Sequence, residues 1–301
     1  MNESYQVCNI QREEIPDFLR LCHDEGWSPT YEMIESFYKF DKEGLFVGKI
    51  NGEIVSAIAA IKYRQNYGHI SYFVVSKNHR GSGLGSKLFS HAFEHLNGNI
   101  VGLNAVESMI TKYENIGFKK QYYVEKIVGI SKATANFDAL ILSNVFNFDA
   151  SMLIENKITD YFLTDRKEML LFWLTLPSAI TKVYINDGKI QGFASIHQKH
   201  KENAWEISPI ISDNMEIAKL LIVCLMNSIP SGCNVTLLIP EINKQSLKMI
   251  EELKDLFNFE KKDTEPLMYK YVNDQQKQLI QNYQSEASIN HVFGVLSLCI
   301  G

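Results

Sequence analysis

The segment that most limits what this chain can fold into lies at residues 70–93. An apolar run, Ile70-Ser71-Tyr72-Phe73-Val74-Val75, passes through Ser76-Lys77-Asn78-His79 into Arg80-Gly81-Ser82-Gly83-Leu84-Gly85, and an amphipathic stretch follows over residues 86–93. The pattern predicts a strand that empties into a short glycine turn, which opens a helix over about 82–96. The first amide N–H groups of such a helix have no partner within it. Together with the helix dipole they favour an anion at that end. Glycines at 81, 83 and 85 remove Cβ atoms, so a pyrophosphate can approach the backbone closely. Arg80 adds a permanent positive charge at the same mouth. Taken alone, three glycines in a strand-to-helix turn also suit a tight turn that holds nothing. A dinucleotide loop wants G-x-G-x-x-G at the start of a βαβ unit, and a nucleoside-triphosphate loop ends in G-K-[ST]. Here the spacing is G-x-G-x-G, the loop follows a hairpin, and Gly85-Ser86-Lys87 runs in the wrong order.

Around this segment the chain carries one order of elements twice. Strands are predicted at residues 5–10, 45–50, 54–63, 69–75, 100–105 and 118–130, and helices at 13–24, 31–40 and 109–115, with Gly44 closing the second helix. Asn51-Gly52 between apolar runs is a strong hairpin signal. Residues 131–148 join the halves. Helices are then predicted near 150–156 and at 166–176. Strands at 183–185 and 190–196 flank the turn Asn186-Asp187-Gly188. A strand at 204–211, a helix at 215–228, a strand at 235–239, a helix at 244–254 and a strand at 267–272 follow, and residues 289–300 are apolar and strand-like. The expectation is mixed α/β, a sheet with flanking helices, in two similar domains at 1–130 and 149–301 with a linker at 131–148.

Length and charge agree. The 301 residues suffice for two domains of about 150 residues each. A net charge of −5 does not suit a general nucleic-acid binder, which is usually basic. The cysteines, Cys8, Cys22, Cys224, Cys233 and Cys299, are scattered and odd in number, which argues against a disulfide framework and a structural zinc site. No basic start leads into an apolar run, and no stretch approaches about eighteen consecutive apolar residues. The expectation is a cytoplasmic protein with reduced thiols, no metal, and neither membrane nor nucleic-acid partners.

The loop resembles that of the GCN5-related N-acetyltransferases (GNAT), which mark an acetyl-CoA site with [QR]-x-x-G-x-[GA] after a strand ending V-x-P-x-x. Arg80-Gly81-Ser82-Gly83-Leu84-Gly85 matches. The lead-in from Val75 to His79 matches in register, except that Lys77 stands where proline is usual. A second family element, Y-x-x-x-G-F, is met by Tyr113-Glu114-Asn115-Ile116-Gly117-Phe118. The resemblance extends to a subgroup with a second, degenerate domain of the same kind. It is carried there by Arg166, Phe172-Trp173, Asp187-Gly188, Pro240, Asn243 and Met268-Tyr269, with Ser208-Pro209 where the subgroup has Gly-Pro.

The resemblance implies acyl transfer from acetyl-CoA to an amine by direct attack. It places the backbone of Phe73, Val74 and Val75 along the pantetheine arm, with the Phe73 N–H on the acyl carbonyl. Arg80, Gly81, Ser82, Gly83, Leu84 and Gly85 take the pyrophosphate, and Tyr113 serves as the acid for the leaving thiolate. The general base is not legible. The strand before the loop carries no carboxylate, and His69, Glu107 and Glu25 are weak candidates. Asn104 stands where the subgroup tends to have Asp. The intact Tyr113 favours an enzyme, while the missing carboxylate and Asn104 favour a non-catalytic acetyl-CoA-binding protein. The second half, Ser208-Pro209-Ile210-Ile211-Ser212-Asp213-Asn214-Met215, has neither glycine nor cation, and Asp213 there suits a helix cap.

Overall fold

Asn51 and Gly52 adopt φ of 51° and 86°, the mirror-image turn that matches strand twist, and Ile50 pairs with Glu53 across it. The computed structural model of the protein describes residues 5–63, 66–132, 143–152 and 165–299. The first half runs β1 (Tyr5–Asn9), α1 (Ile15–Asp24), α2 (Tyr31–Phe40), β2 (Leu45–Ile50), β3 (Glu53–Tyr63), β4 (Tyr67–Val75), α3 (Leu84–His95), β5 (Ile100–Asn104), α4 (Ile110–Asn115) and β6 (Lys119–Ile130). The second runs β7 (Val145–Asn147), α5 (Lys167–Leu174), β8 (Ala179–Asn186), β9 (Lys189–Gln198), β10 (Ala204–Ser212), α6 (Met215–Asn227), β11 (Asn234–Pro240), α7 (Lys244–Phe257), β12 (Glu260–Lys270), α8 (Asp274–Tyr283), α9 (Glu286–Ile289) and β13 (Val292–Gly294).

Local chemistry explains most boundaries. Thr30 caps α2 by accepting from the Met33 N–H, and Met33, Ile34 and Phe37 make its buried stripe. Asn243 caps α7 at the Gln245 and Ser246 N–H groups, and Asn258 closes it in a left-handed conformation. Several expectations need correction. Helix α2 spans the expected residues, but its C-cap is Asp41, and Gly44 instead closes a turn onto the Asp41 carbonyl. Strand β7 lies inside the stretch expected to be only a linker, and β12 begins seven residues before the expected 267. Helix α8 was not expected, and among the described residues 289–299 only Val292–Gly294 is a strand. The helix expected near 150–156 falls largely outside the described residues.

The two halves share one sheet. Its order is β1-β2-β3-β4-β5-β12-β6-β11-β10-β9-β8-β7, with β13 beside β10. The last strand of each half is exchanged. β12 pairs with β5 through Leu267–Asn104 to Lys270–Val101, and β6 pairs with β11 through Ile130–Asn234 to Val124–Pro240. The exchanged strands also pair with each other. One core cluster accordingly spans both halves, bringing Phe18, Phe37 and Tyr67 together with Trp173, Phe193 and Val292. Separate clusters lie under α3 and α4 and around α6 and α7.

Candidate active site

Strand β4 parts from β5 halfway along. The parallel pairing runs from Tyr67–Ile100 to Ile70–Leu103 and stops. On the other side, β4 stays with β3, but the register shifts between Ser71–Ala59 and Val74–Ala57, and Tyr72 sits in the bulge with φ of 50°. Beyond the bulge the Ser76 N–H donates to the Val55 carbonyl at 2.8 Å. Antiparallel alternation then turns the N–H and C=O of Val75 away from β3, toward the wedge that β5 has left. The Val75 carbonyl accepts from Arg80 Nε at 2.9 Å, which leaves its N–H for a ligand. Val74 stands apart from the other expected contacts, with its side chain in the core and Ala57 as its register partner.

At the end of the wedge, Gly81 and Gly83 have φ of 78° and 82°, a region that disfavours any Cβ, and a Cβ at either would point into open space. Gly83 is the N-cap of α3 and offers no side chain to its first amides, which are thus open to an anion. Gly85 has another role. A Cβ there would lie 3.2 Å from Val75 Cγ2 and 3.3 Å from Phe73 Cζ, so this glycine lets α3 pack against the strand end. The Ser82 hydroxyl donates to the His79 carbonyl at 2.7 Å and holds the turn, and Leu84 is the first residue of α3. Arg80 pairs with Glu25, so its charge is partly balanced and it works as a strut between loop and strand. These features fit the phosphates and arm of a coenzyme A thioester.

Tyr113 is 8% exposed on α4, and burial pushes its phenol up to about 12. Phe89 of α3 lies between it and Phe73, with ring centroids 5.8 and 5.6 Å away. One ring therefore joins the residue whose N–H is expected at the acyl carbonyl to the expected acid. Among the described residues no protein group hydrogen-bonds the Tyr113 hydroxyl, so it can serve a ligand.

The base candidates separate. His69 is fully buried, accepts from or donates to Tyr67 Oη at 3.0 Å, and reaches the Leu298 carbonyl at 3.2 Å. Burial, reinforced by the nearby Arg166 charge, pulls it down to about 3. It is a neutral structural histidine. Glu25 is engaged by Arg80, and Glu107 stands on an exposed 3₁₀ turn. Asn104 ends β5, with its buried amide nitrogen unpartnered among the described residues. It faces a cavity of about 10 Å³ shared with Tyr122, Tyr269, Tyr283 and Ser297. Sequence reasoning missed Phe89 and Tyr72. The helical position of Phe89 was readable, but the positive φ at Tyr72 had no local signal.

The equivalent wedge of the second half is closed. β10 and β11 pair from Ala204–Asn234 to Ile207–Leu237 and then separate. β13 enters the gap and pairs Gly294 with Ile210 and Val292 with Ile211. At the start of α6 the cap is Asn214, not the expected Asp213, and its side chain accepts from the Ile217 N–H at 3.0 Å. Among the described residues there is no cluster of three or more side chains suited to a metal, and no helix is long and apolar enough to cross a membrane.

Comparison with known proteins agrees with this geometry. The acetyltransferase (GNAT) family model matches residues 8–120, and an acetyltransferase (GNAT) domain model matches residues 159–283. The chain is 24% identical over 220 residues to the holothin acyltransferase of Pseudoalteromonas sp. (strain SANK 73390), covering 73% of each chain. A candidate acetyltransferase from Pyrococcus horikoshii superposes with a TM-score of 0.78 at 15% identity, over 99% of this chain and 96% of that one. A tandem GNAT protein from the clavulanic acid biosynthesis pathway gives 0.62 at 12%, over 88% and 98%. The chain belongs to the GNAT acetyltransferase family, as an acyltransferase with two such units in tandem.

Proposed function

We propose that this protein transfers an acetyl group from acetyl-CoA to an amine by direct attack, and that it does so in the first half alone. The observation that carries this reading is the open wedge between β4 and β5, which ends at the uncapped start of α3. In this reading the amides after Gly83 hold the pyrophosphate, the Val75 N–H holds the pantetheine arm, and the Phe73 N–H donates to the carbonyl oxygen as it gains charge. As nitrogen bonds to the acyl carbon and the carbon–sulfur bond breaks, the Tyr113 hydroxyl supplies the proton that the departing sulfur takes up. A phenol near 12 holds that proton firmly until the thiolate forms. The units are taken as 1–130 and 149–301, and the protein as cytoplasmic. The similarity to a holothin acyltransferase supports acyl transfer as the reaction. The test is incubation with acetyl-CoA and a panel of small amines and peptides, read by mass spectrometry. A product heavier by one acetyl group is expected. Binding of acetyl-CoA with no product from any amine would sink the catalytic reading.

A further inference from the structure

The acceptor face of β4 lacks a carboxylate, yet a buried one lies within reach from the other half. Tyr72, in the bulge next to Phe73, points away from α3. Its ring packs among Phe18, Trp27 and Phe37 of the α1–α2 region. Its hydroxyl donates to Cys299 Sγ at 3.0 Å. Cys299 Sγ lies 2.9 Å from Ser297 Oγ, and Ser297 Oγ lies 3.5 Å from Glu206 Oε1. Ser208 Oγ also donates to Glu206 Oε1 at 3.1 Å, and Lys199 Nζ holds Oε2 at 3.2 Å. The chain thus runs from the bulge of the first half to β10 of the second through the segment after β13.

We propose that Glu206, in the half whose wedge β13 occupies, takes up the proton lost by the acceptor amine, through a wire of Tyr72, Cys299 and Ser297. The inference rests on the amine-acetylation reading above. As the nitrogen bonds to the acyl carbon, one N–H proton passes to Tyr72 Oη. The Tyr72 proton passes to Cys299 Sγ, the thiol proton to Ser297 Oγ, and the Ser297 proton to Glu206. The three relay groups end as they began, and one proton has moved from nitrogen to carboxylate. Each group starts in the state the wire needs. Burial keeps Tyr72 and Cys299 protonated. Burial alone would raise the Glu206 carboxyl, but the Lys199 charge and hydrogen bond, with the Ser208 hydroxyl, hold it below its usual range and ionised. Tyr72 is the catalytic residue here. Cys299, Ser297 and Glu206 act through it.

The test is a pair of substitutions at Cys299. Serine can relay a proton and alanine cannot. Cys299→Ala should lower single-turnover acetylation about a hundredfold, the low end of acid–base contributions. Cys299→Ser should recover most of that loss, and both should keep the wild-type Kd for acetyl-CoA by calorimetry and the wild-type melting temperature. Apart from turnover, the Cys299 S–H infrared band should move to higher frequency in Ser297→Ala, as its acceptor is lost. Equal turnover in the alanine and serine variants, or an S–H band indifferent to Ser297, overturns the wire. Wild-type protein that acetylates no amine overturns the function reading and the wire with it. Acetylation at the wild-type rate in Cys299→Ala overturns the wire alone.

Discussion

The two wedges of this molecule start alike and end differently. In the first half β4 and β5 separate after Ile70 and Leu103, and no described strand enters the gap; in the second, β10 and β11 separate after Ile207 and Leu237, and β13 runs in between. Helix α3 begins at a glycine with no side-chain cap, and α6 begins at Asn214, whose side chain accepts from the Ile217 N–H. The splay is therefore a property of the fold, and room for a ligand is a property of what is left unfilled. A strand and a cap together satisfy in the second half the backbone groups that a thioester would satisfy in the first. In the second half β13 fills the wedge, and the segment that follows it, with Ser297 and Cys299, reaches back onto β4.

The largest expected effect comes from making the first loop resemble the second. Gly83→Asp places a side chain where φ is 82° and gives the α3 amides an internal acceptor with a negative charge. Acetyl-CoA affinity should fall about a hundredfold or more, roughly 3 kcal/mol. The fold should survive, because the residue is exposed. Calorimetry on a variant with wild-type circular dichroism checks this, and unchanged affinity would place the phosphates elsewhere.

Each half also buries a neutral histidine, His69 at about 3 and His197 at about 4, both lowered chiefly by burial. Their folded values lie below the ordinary 6.5, so between about pH 6.5 and 4 the unfolded chain binds protons that the folded chain refuses. Stability is then full above that window and falls with pH through it, by about 2 kcal/mol per histidine at pH 5. Urea unfolding at pH 7 and pH 5 measures the sum, and His69→Asn and His197→Asn should each remove about half of the pH dependence. Equal stability at both values would mean that neither histidine is buried uncharged.

Tyr113→Phe comes next. It keeps the ring between Phe89 and Phe118 and removes one hydroxyl. A thiolate is a fairly good leaving group, so the loss should lie at about ten- to a hundredfold in single turnover, with the Kd for acetyl-CoA constant. Full turnover would make the tyrosine structural, and a matching loss of affinity would make it a binding residue.

Much of this contrast was legible. The loop glycines, both hairpin turns and the bounds of α2 and β2 follow from local chemistry. Other parts were decided by distant partners. The polar start of β12 reads as loop, yet it lies along β6, where Lys261 pairs with Glu125 at 2.8 Å. Helix α8 has few apolar residues, and its one clear signal was the cap Asn273, which accepts from the Gln276 N–H. The strand exchange leaves no local trace, because β6 and β12 would carry the same alternation whichever half they joined. The plugging of the second wedge was equally hidden, since an apolar run at 289–300 does not reveal which gap it enters.

The smallest effect separates the two features, cap and strand, by which the second half differs from the first. Asn214→Ala removes the cap on the Ile217 N–H, and a lost cap costs about 1 kcal/mol of stability. The first amides of α6 would then be open, as those of α3 are, but β13 would still occupy the wedge where a pantetheine arm would lie. Acetyl-CoA should therefore bind once per chain in the variant, as in the wild type. Urea unfolding reads the stability term, and calorimetry with Gly83→Asp in the same chain reads the second wedge with the first one disabled. A second, weaker site appearing in that double variant would show that the cap alone excludes the ligand and that β13 can be displaced. No binding would assign the exclusion to the strand, which ties the loss of the second site to the same segment that reaches across to Tyr72.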